Sequence, residues 1–203
     1  DLDKAVRLVV AFGGKAANYP YPEGVRVIYC LAPGAFLSTP ARETPPVKIS
    51  LIPEFSFTFS RIKAIQPGLK RLRVLWMLRD STPYAKKIKE DGARLGIQVT
   101  TFRLEGPGSL PGALRSALAE ADAVWLAPDP PIITRENMLI MREFSRENKF
   151  PFYGSTKSMT REGALASFGV SFAEMGKAAA RAAAVLNGGG SLPETVFPDK
   201  TET

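Results

Sequence analysis

The chain has 203 residues, 45% of them hydrophobic and 23% charged, and its 27 basic and 20 acidic side chains leave a net charge of +7. That length and balance suit one large α/β domain or two small lobes of a globular protein. The sequence has no histidine and one cysteine, Cys30, which excludes Ser-His-Asp and Cys-His catalysis, histidine metal sites, cysteine zinc clusters and internal disulfides.

The basic residues are dispersed. Lys70-Arg71-Arg73 and Lys86-Lys87-Lys89 are the only small clusters, and neither interleaves with aromatics. They read as solvated faces or as a field that steers anionic ligands, and no nucleic-acid partner is expected. No apolar run reaches the roughly 18 residues needed to span a bilayer. The polar start, Asp1-Leu2-Asp3-Lys4, leads straight into a strand-like run, so the protein is either cytoplasmic or exported with its signal peptide removed.

In chain order, Val6 to Phe12 is a near-continuous apolar run that predicts a strand buried on both faces, with a tight turn at Gly13-Gly14. Only one or two helical turns fit between Lys15 and Gly24. Val25 to Leu31 predicts a second strand, in which Cys30 reads as a packed thiol. Residues 37–53, rich in Pro, Ser and Thr, read as an extended or loop-like connection. Helical spacing returns over Glu54 to Gln66 through Phe55, Phe59, Ile62 and Ile65, and Pro67-Gly68 stops it.

From Leu69 the pattern is regular. Strands are predicted at Leu72–Leu78, Ile97–Phe102, Ala123–Leu126, Phe150–Tyr153 and Ala164–Phe168. Helices intervene: one opens at Thr82-Pro83 and ends at Gly96, one spans Leu110–Ala119 with Leu114, Ala117 and Leu118 inward, and one spans Thr134–Lys149. The alternation implies a parallel sheet with right-handed crossovers. A last helix opens with the capping box Ser171/Glu174 and closes at Asn187-Gly188-Gly189-Gly190. The tail holds one short extended segment, Thr195 to Phe197.

Open parallel sheets bind ligands beyond the carboxyl ends of their strands. The candidate ligand-binding residues are therefore Gly13, Gly14, Pro33, Ser81, Thr82, Asp129, Ser155 and Thr156. Ser81 and Thr82 serve either as helix caps or as ligand contacts, and Gly13-Gly14 either as a simple turn or as a backbone anion site. Asp129 lies between prolines. Its carboxylate serves either an Asx-type turn or a ligand amine or hydroxyl. Neither the G-x-x-x-x-G-K-[ST] nor the G-x-G-x-x-G pattern occurs, so no cofactor is expected. Asp80 and Asp129 allow a carboxylate pair, but nothing else supports catalysis, and no catalytic residue is assigned.

Several segments resemble the ABC-transporter substrate-binding family that includes tryptophan-binding lipoproteins. The most specific are Val124 to Pro130, Phe150 to Ser155 and Glu162 to Val170. Val9 to Ala17, Val27 to Pro33, Pro67 to Arg71 and Val196 to Lys200 add weaker matches. Two departures stand out. The family carries a further pair of strand-helix units before the position of Val6. Its small polar residue after the first glycine is Gly14 here, and its second-lobe tip reads Arg79-Asp80-Ser81-Thr82.

The resemblance implies an α/β type I periplasmic-binding fold with parallel sheets flanked by helices. It would have a reduced first lobe, whether trimmed or naturally so, over residues 1–68, and a complete flavodoxin-like second lobe over 69–170. A C-terminal helix and tail, 171–203, would return to the first lobe. The implied function is solute binding in an interlobe cleft, with hinge closure. The small ligand would be zwitterionic or anionic, and an ABC permease would receive it. The protein would be a non-enzyme, a monomer or weak dimer, in the periplasm or anchored outside the cytoplasmic membrane. The alternative is a sensory or scaffolding module on the same fold.

Overall fold

A computed structural model describes residues 3, 5–32, 42–77 and 82–202. The chain divides into two units, Asp1–Leu51 with Val170–Thr201, and Ile52–Gly169 with Glu202–Thr203. In chain order the elements begin with β1 (Leu8–Phe12), α1 (Gly13–Ala17), β2 (Arg26–Cys30), β3 (Val47–Ile49), α2 (Phe55–Ile65) and β4 (Arg71–Trp76). There follow α3 (Thr82–Arg94), β5 (Gln98–Arg103), α4 (Leu110–Glu120), β6 (Ala123–Leu126) and α5 (Arg135–Asn148). The chain closes with β7 (Phe152–Gly154), α6 (Lys157–Arg161), β8 (Ala166–Ser167), α7 (Phe172–Asn187) and β9 (Thr195–Val196).

The first unit holds a parallel sheet in the order β1-β2-β3-β9. β1 and β2 pair from Leu8↔Arg26 to Phe12↔Cys30; β1 is the edge strand, so of its residues only Ala11 is fully buried, against the expected burial on both faces. β3 lies in the stretch expected to be a loop. Its three residues are too few to show a period, and pairing on both sides holds them: Ile28↔Val47 with β2 and Lys48↔Thr195 with β9. Lys48 is buried in mid-sheet, and its Nζ reaches Glu194 at 2.8 Å. On one face lie Met175, Ala178, Ala179, Ala182 and Leu186 of α7, packed with Ile28, Cys30, Val47 and Ile49. The α7 cap is as the sequence predicts, with the Ser171 hydroxyl accepting the Glu174 N–H at 3.2 Å. Ala11, Ala17, Val25, Val27 and Tyr29 form the other cluster.

The second unit holds a five-stranded parallel sheet in the order β5-β4-β6-β7-β8. Counted from its own first strand this is 2-1-3-4-5, the flavodoxin-like order. One layer joins Phe55, Phe59 and Ile62 of α2 and Ile88 of α3 to Leu72, Val74, Trp125 and Tyr153. Trp125 is fully buried and meets Phe55 and Phe59 edge-on, each with ring centroids 5.9 Å away. The other layer joins Leu110, Leu114 and Ala117 of α4 and Met138 and Met141 of α5 to Leu75, Val124, Leu126 and Phe152.

Leu118, expected to point inward, is 39% exposed. The apolar stripe of α4 centres on Leu110, Ala113, Leu114 and Ala117, and at about 100° per residue Leu118 falls on its margin. Ile65, in the last turn of α2, is exposed for the same reason, while Thr58 takes an inward place. Pro67-Gly68, where the sequence suggested a boundary, lies within this unit, because α2 before it packs on the same sheet. The carboxylate of Asp122 closes the entry to β4: it accepts the Lys70 and Arg71 N–H groups at 2.9 and 2.8 Å and pairs with the Arg71 guanidinium.

Candidate functional site at the carboxyl edges of the sheets

In the second unit β4, β6 and β7 run side by side, so the residues that follow them are neighbours. These are Met77, then Ala127 to Asp129, then Ser155 and Thr156. Asp129 is buried. Its carboxylate accepts the Met77 N–H, and its carbonyl accepts the N–H groups of Ile132 at 2.9 Å and Ile133 at 3.2 Å. Asp129 thus ties the end of β4 to the proline-stiffened loop after β6.

Ser155 is also buried. Its N–H donates to the Met159 sulfur at 3.2 Å. Its carbonyl lies so close to Gly169 that a Cβ there would come within 2.2 Å of the oxygen. Only glycine fits at 169, and this contact brings the end of β8 against the β7 tip. Thr156 is partly exposed and starts α6 with extended backbone, φ −138° and ψ 147°. Its hydroxyl meets that of Ser158 at 2.9 Å and caps no amide. Thr82 begins α3, within a residue of the expected start. Pro33, Ser81 and Asp80 lie outside the described residues.

In the first unit, Gly13 opens α1 directly after β1 with φ +84°, a conformation that favours glycine. Gly14 is exposed, and a Cβ there would touch nothing within 4 Å. The structure therefore brings Asp129, Ser155 and Thr156 to the edge of one sheet, and Gly13 and Gly14 to the edge of the other, while Thr82 stands at the start of α3.

Three residues at the first unit's edge escaped the sequence reading. Phe12 is 54% exposed and Phe172 75% exposed. Leu31, just past β2, has φ +54°, which a bulky side chain rarely adopts. The position of α7 follows from Cys30, whose thiol reaches the Met175 carbonyl at 3.7 Å. Cys30 is the register partner of Phe12, so the first turn of α7 sits at the carboxyl end of β2. Burial pushes the Cys30 thiol above its ordinary pKa, while a hydrogen bond from the Leu31 backbone opposes the rise. That is the behaviour of a packed thiol. An apolar run predicts a strand, but not which of its end residues stays uncovered, so Phe12 had no signal of its own.

Among the described residues, no group of three or more His, Cys, Asp or Glu side chains could hold a metal ion. Among them too, no helix is long and apolar enough to cross a membrane.

Solved structures share this arrangement. An ABC domain in complex with L-Trp from Streptococcus pneumoniae superposes with a TM-score of 0.68 at 20% identity, covering 98% of this chain and 71% of that one. A conserved domain protein from Vibrio cholerae gives 0.68 at 18% identity, with 97% and 69% coverage. The ligand-free, open form of a substrate binding protein with adhesive properties from Clostridium difficile gives 0.66 at 16% identity, with 97% and 70% coverage. At these identities the likeness establishes the fold, that of periplasmic binding proteins of type I. No curated protein matches the sequence. Residues 55–201, most of the chain, match the family of ABC transporter substrate binding proteins, and the chain belongs to that family.

Proposed function

We propose that the protein is the solute-binding component of an ABC-type uptake system, acting outside the cytoplasmic membrane and delivering its solute to a permease without chemical change. The observation that carries this reading is the makeup of the carboxyl edges in a chain of this family. Both sheets are parallel and, among the described residues, end in glycine, hydroxyl or backbone-rich tips, which offer hydrogen bonds to a small solute. Gly13 and Gly14 present main chain, Thr82 opens a helix, and Thr156 presents a hydroxyl. Asp129 and Ser155, both buried, hold these tips in place. Lys15, exposed beside Gly14, favours a solute with an acidic group. A zwitterionic or anionic solute suits this set, and the L-Trp held by the S. pneumoniae neighbour supports a solute of amino-acid type.

The test is a thermal-shift screen of the purified chain against amino acids, nucleosides, sugars and small organic acids. A true solute at a hundredfold excess over its Kd stabilises the folded state by about 2.7 kcal/mol. Thr156→Val, at a partly exposed position, keeps the fold and shrinks that shift. A well-folded sample that responds to no solute class overturns the reading in favour of a partner-binding module.

A further inference from the structure

We propose that α2 and α3, side by side on one face of the second unit's sheet, form a cationic face that docks on an anionic phospholipid surface. Its charges are Arg61 on α2 and Lys86, Lys87, Lys89 and Arg94 on α3. Solute binding plays no part in it. The reading above supplies only the place, outside the cytoplasmic membrane, where a lipid surface is at hand.

Direct contacts join the two helices. Ile62 of α2 and Ile88 of α3 share one buried cluster, and the Lys63 Nζ donates to the Leu95 carbonyl, just past the end of α3, at 2.6 Å. Ile88 and Gly92 mark the inner side of α3. At about 100° per residue Lys86 lies opposite Ile88, and Lys87, Lys89 and Arg94 flank it, all exposed. The other helix layer of the same sheet gives the contrast. There α4, α5 and α6 carry six basic residues, offset by four exposed or half-exposed acids, Glu120, Glu136, Glu143 and Glu147. The α2–α3 layer also carries six basic residues but only two acids, and of these Asp91 is buried. Glu90 is then its one exposed acid among the described residues. Lys86 reaches Glu90 only at 3.9 Å, and Lys89 has no anionic partner among the described residues. Lys86 and Lys89, one turn apart, repel each other, so the pattern does not serve helix stability.

This composition suits headgroup phosphates better than a protein. Where proteins meet, aromatics are enriched and lysine is depleted. Among the described residues of α2 and α3, Ile65 is the one large apolar side chain that stands exposed, and Phe57 lies under the Arg61 guanidinium, 5.1 Å from its ring centroid. Flexible ammonium groups spread over a helix face meet a diffuse anionic field without a fixed geometry.

The experiment sediments the full chain, with no solute added, with vesicles of phosphatidylcholine alone or with about 30% phosphatidylglycerol. Binding is expected to the anionic vesicles alone, and about 0.5 M salt should release it. Each lysine near an anionic surface strengthens binding about fivefold, so Lys86→Gln with Lys89→Gln should weaken it about 25-fold. Lys86→Arg with Lys89→Arg keeps the charge and should keep the binding. Arg135→Gln with Arg146→Gln removes the same charge from the opposite layer and should change binding by less than about twofold. All four positions are exposed, and circular dichroism checks that each variant is folded. No binding to either vesicle, equal binding to both, or equal losses for the two glutamine pairs overturns the inference. Binding to soluble polyglutamate but not to vesicles overturns it in favour of an acidic protein partner. Each of these outcomes leaves the solute-binding reading standing.

Discussion

The two units solve the same packing problem with different side chains. In the second, large rings interlock: Trp125 sits edge-on between Phe55 and Phe59, with Tyr153 and Phe168 in the same layer. In the first, α7 lies on its sheet through Ala178, Ala179 and Ala182. An alanine face lets a helix approach closely and leaves little shape to lock it, so the helix depends on Met175, Leu186 and the Ser171 cap for its position. The second unit is therefore specified by side-chain volume, the first by how close backbones can come.

Large cavities should damage the second unit most. Trp125→Ala is expected to cost about 3–5 kcal/mol, read as a fall in the urea midpoint. Trp125→Phe should cost far less, because the indole N–H has no hydrogen-bond partner among the described residues. Equal losses for the two would mean that the N–H, not ring volume, holds this layer.

Overpacking should damage the first unit instead. Ala179→Leu puts new methylenes where the side chain is 1% exposed, and the expected cost is about 1–3 kcal/mol. Both tryptophans, Trp76 and Trp125, lie in the second unit, so their fluorescence reports that unit alone. The Ala179→Leu loss should appear in far-UV circular dichroism and leave the fluorescence transition in place. A shift in both signals would show that the units unfold together and would blunt the contrast.

The smallest effect belongs to Asp122. Burial alone would raise its pKa, but hydrogen bonds from the Lys70 and Arg71 backbone and the Arg71 guanidinium outweigh it and hold the carboxyl below its ordinary value. A lowered folded pKa stabilises above the unfolded value, about 4, and that gain vanishes as pH falls through the folded pKa. Asp122→Asn should therefore cost about 1 kcal/mol at pH 7, and the difference from the parent chain should close in strong acid. A difference that persists unchanged down to pH 2 would assign the effect to amide geometry instead of charge.

The second unit was legible because its signals are long and redundant. Runs such as Leu72-Arg73-Val74-Leu75-Trp76 and Ala123-Val124-Trp125-Leu126 sit between helix starts and glycine stops, and each predicts an element alone. β3 was not legible. Its Val47-Lys48-Ile49 follows two prolines, carries a lysine in mid-strand and gains its identity from partners far along the chain. At the candidate site, the rule that ligands sit at strand ends located Gly13, Asp129, Ser155 and Thr156 on the sheet edges. It could not say what they touch. The grip of Asp129 on the Met77 amide joins residues 52 positions apart, and the contact of Ser155 with Gly169 is one of backbone with backbone. Neither is written in composition or period. The exposure of Phe12 and Phe172 is likewise a property of where elements end.

The pairing of β3 with β9 also sets a timetable for synthesis. Lys48 and its partner Glu194 are 146 residues apart, and almost all of the second unit is made between them. At about 5–20 residues per second, β1, β2 and β3 wait on the order of 10 s on the ribosome before α7 and β9 emerge. Throughout that interval one edge of β3 and the apolar faces of Ile28 and Ile49 have no native cover, while the second unit has every residue it needs but the last two. The first unit, though its strands are made first, receives α7 and β9 only after nearly all of the second has been made, and it is the part of the nascent chain that most needs shielding from other strands.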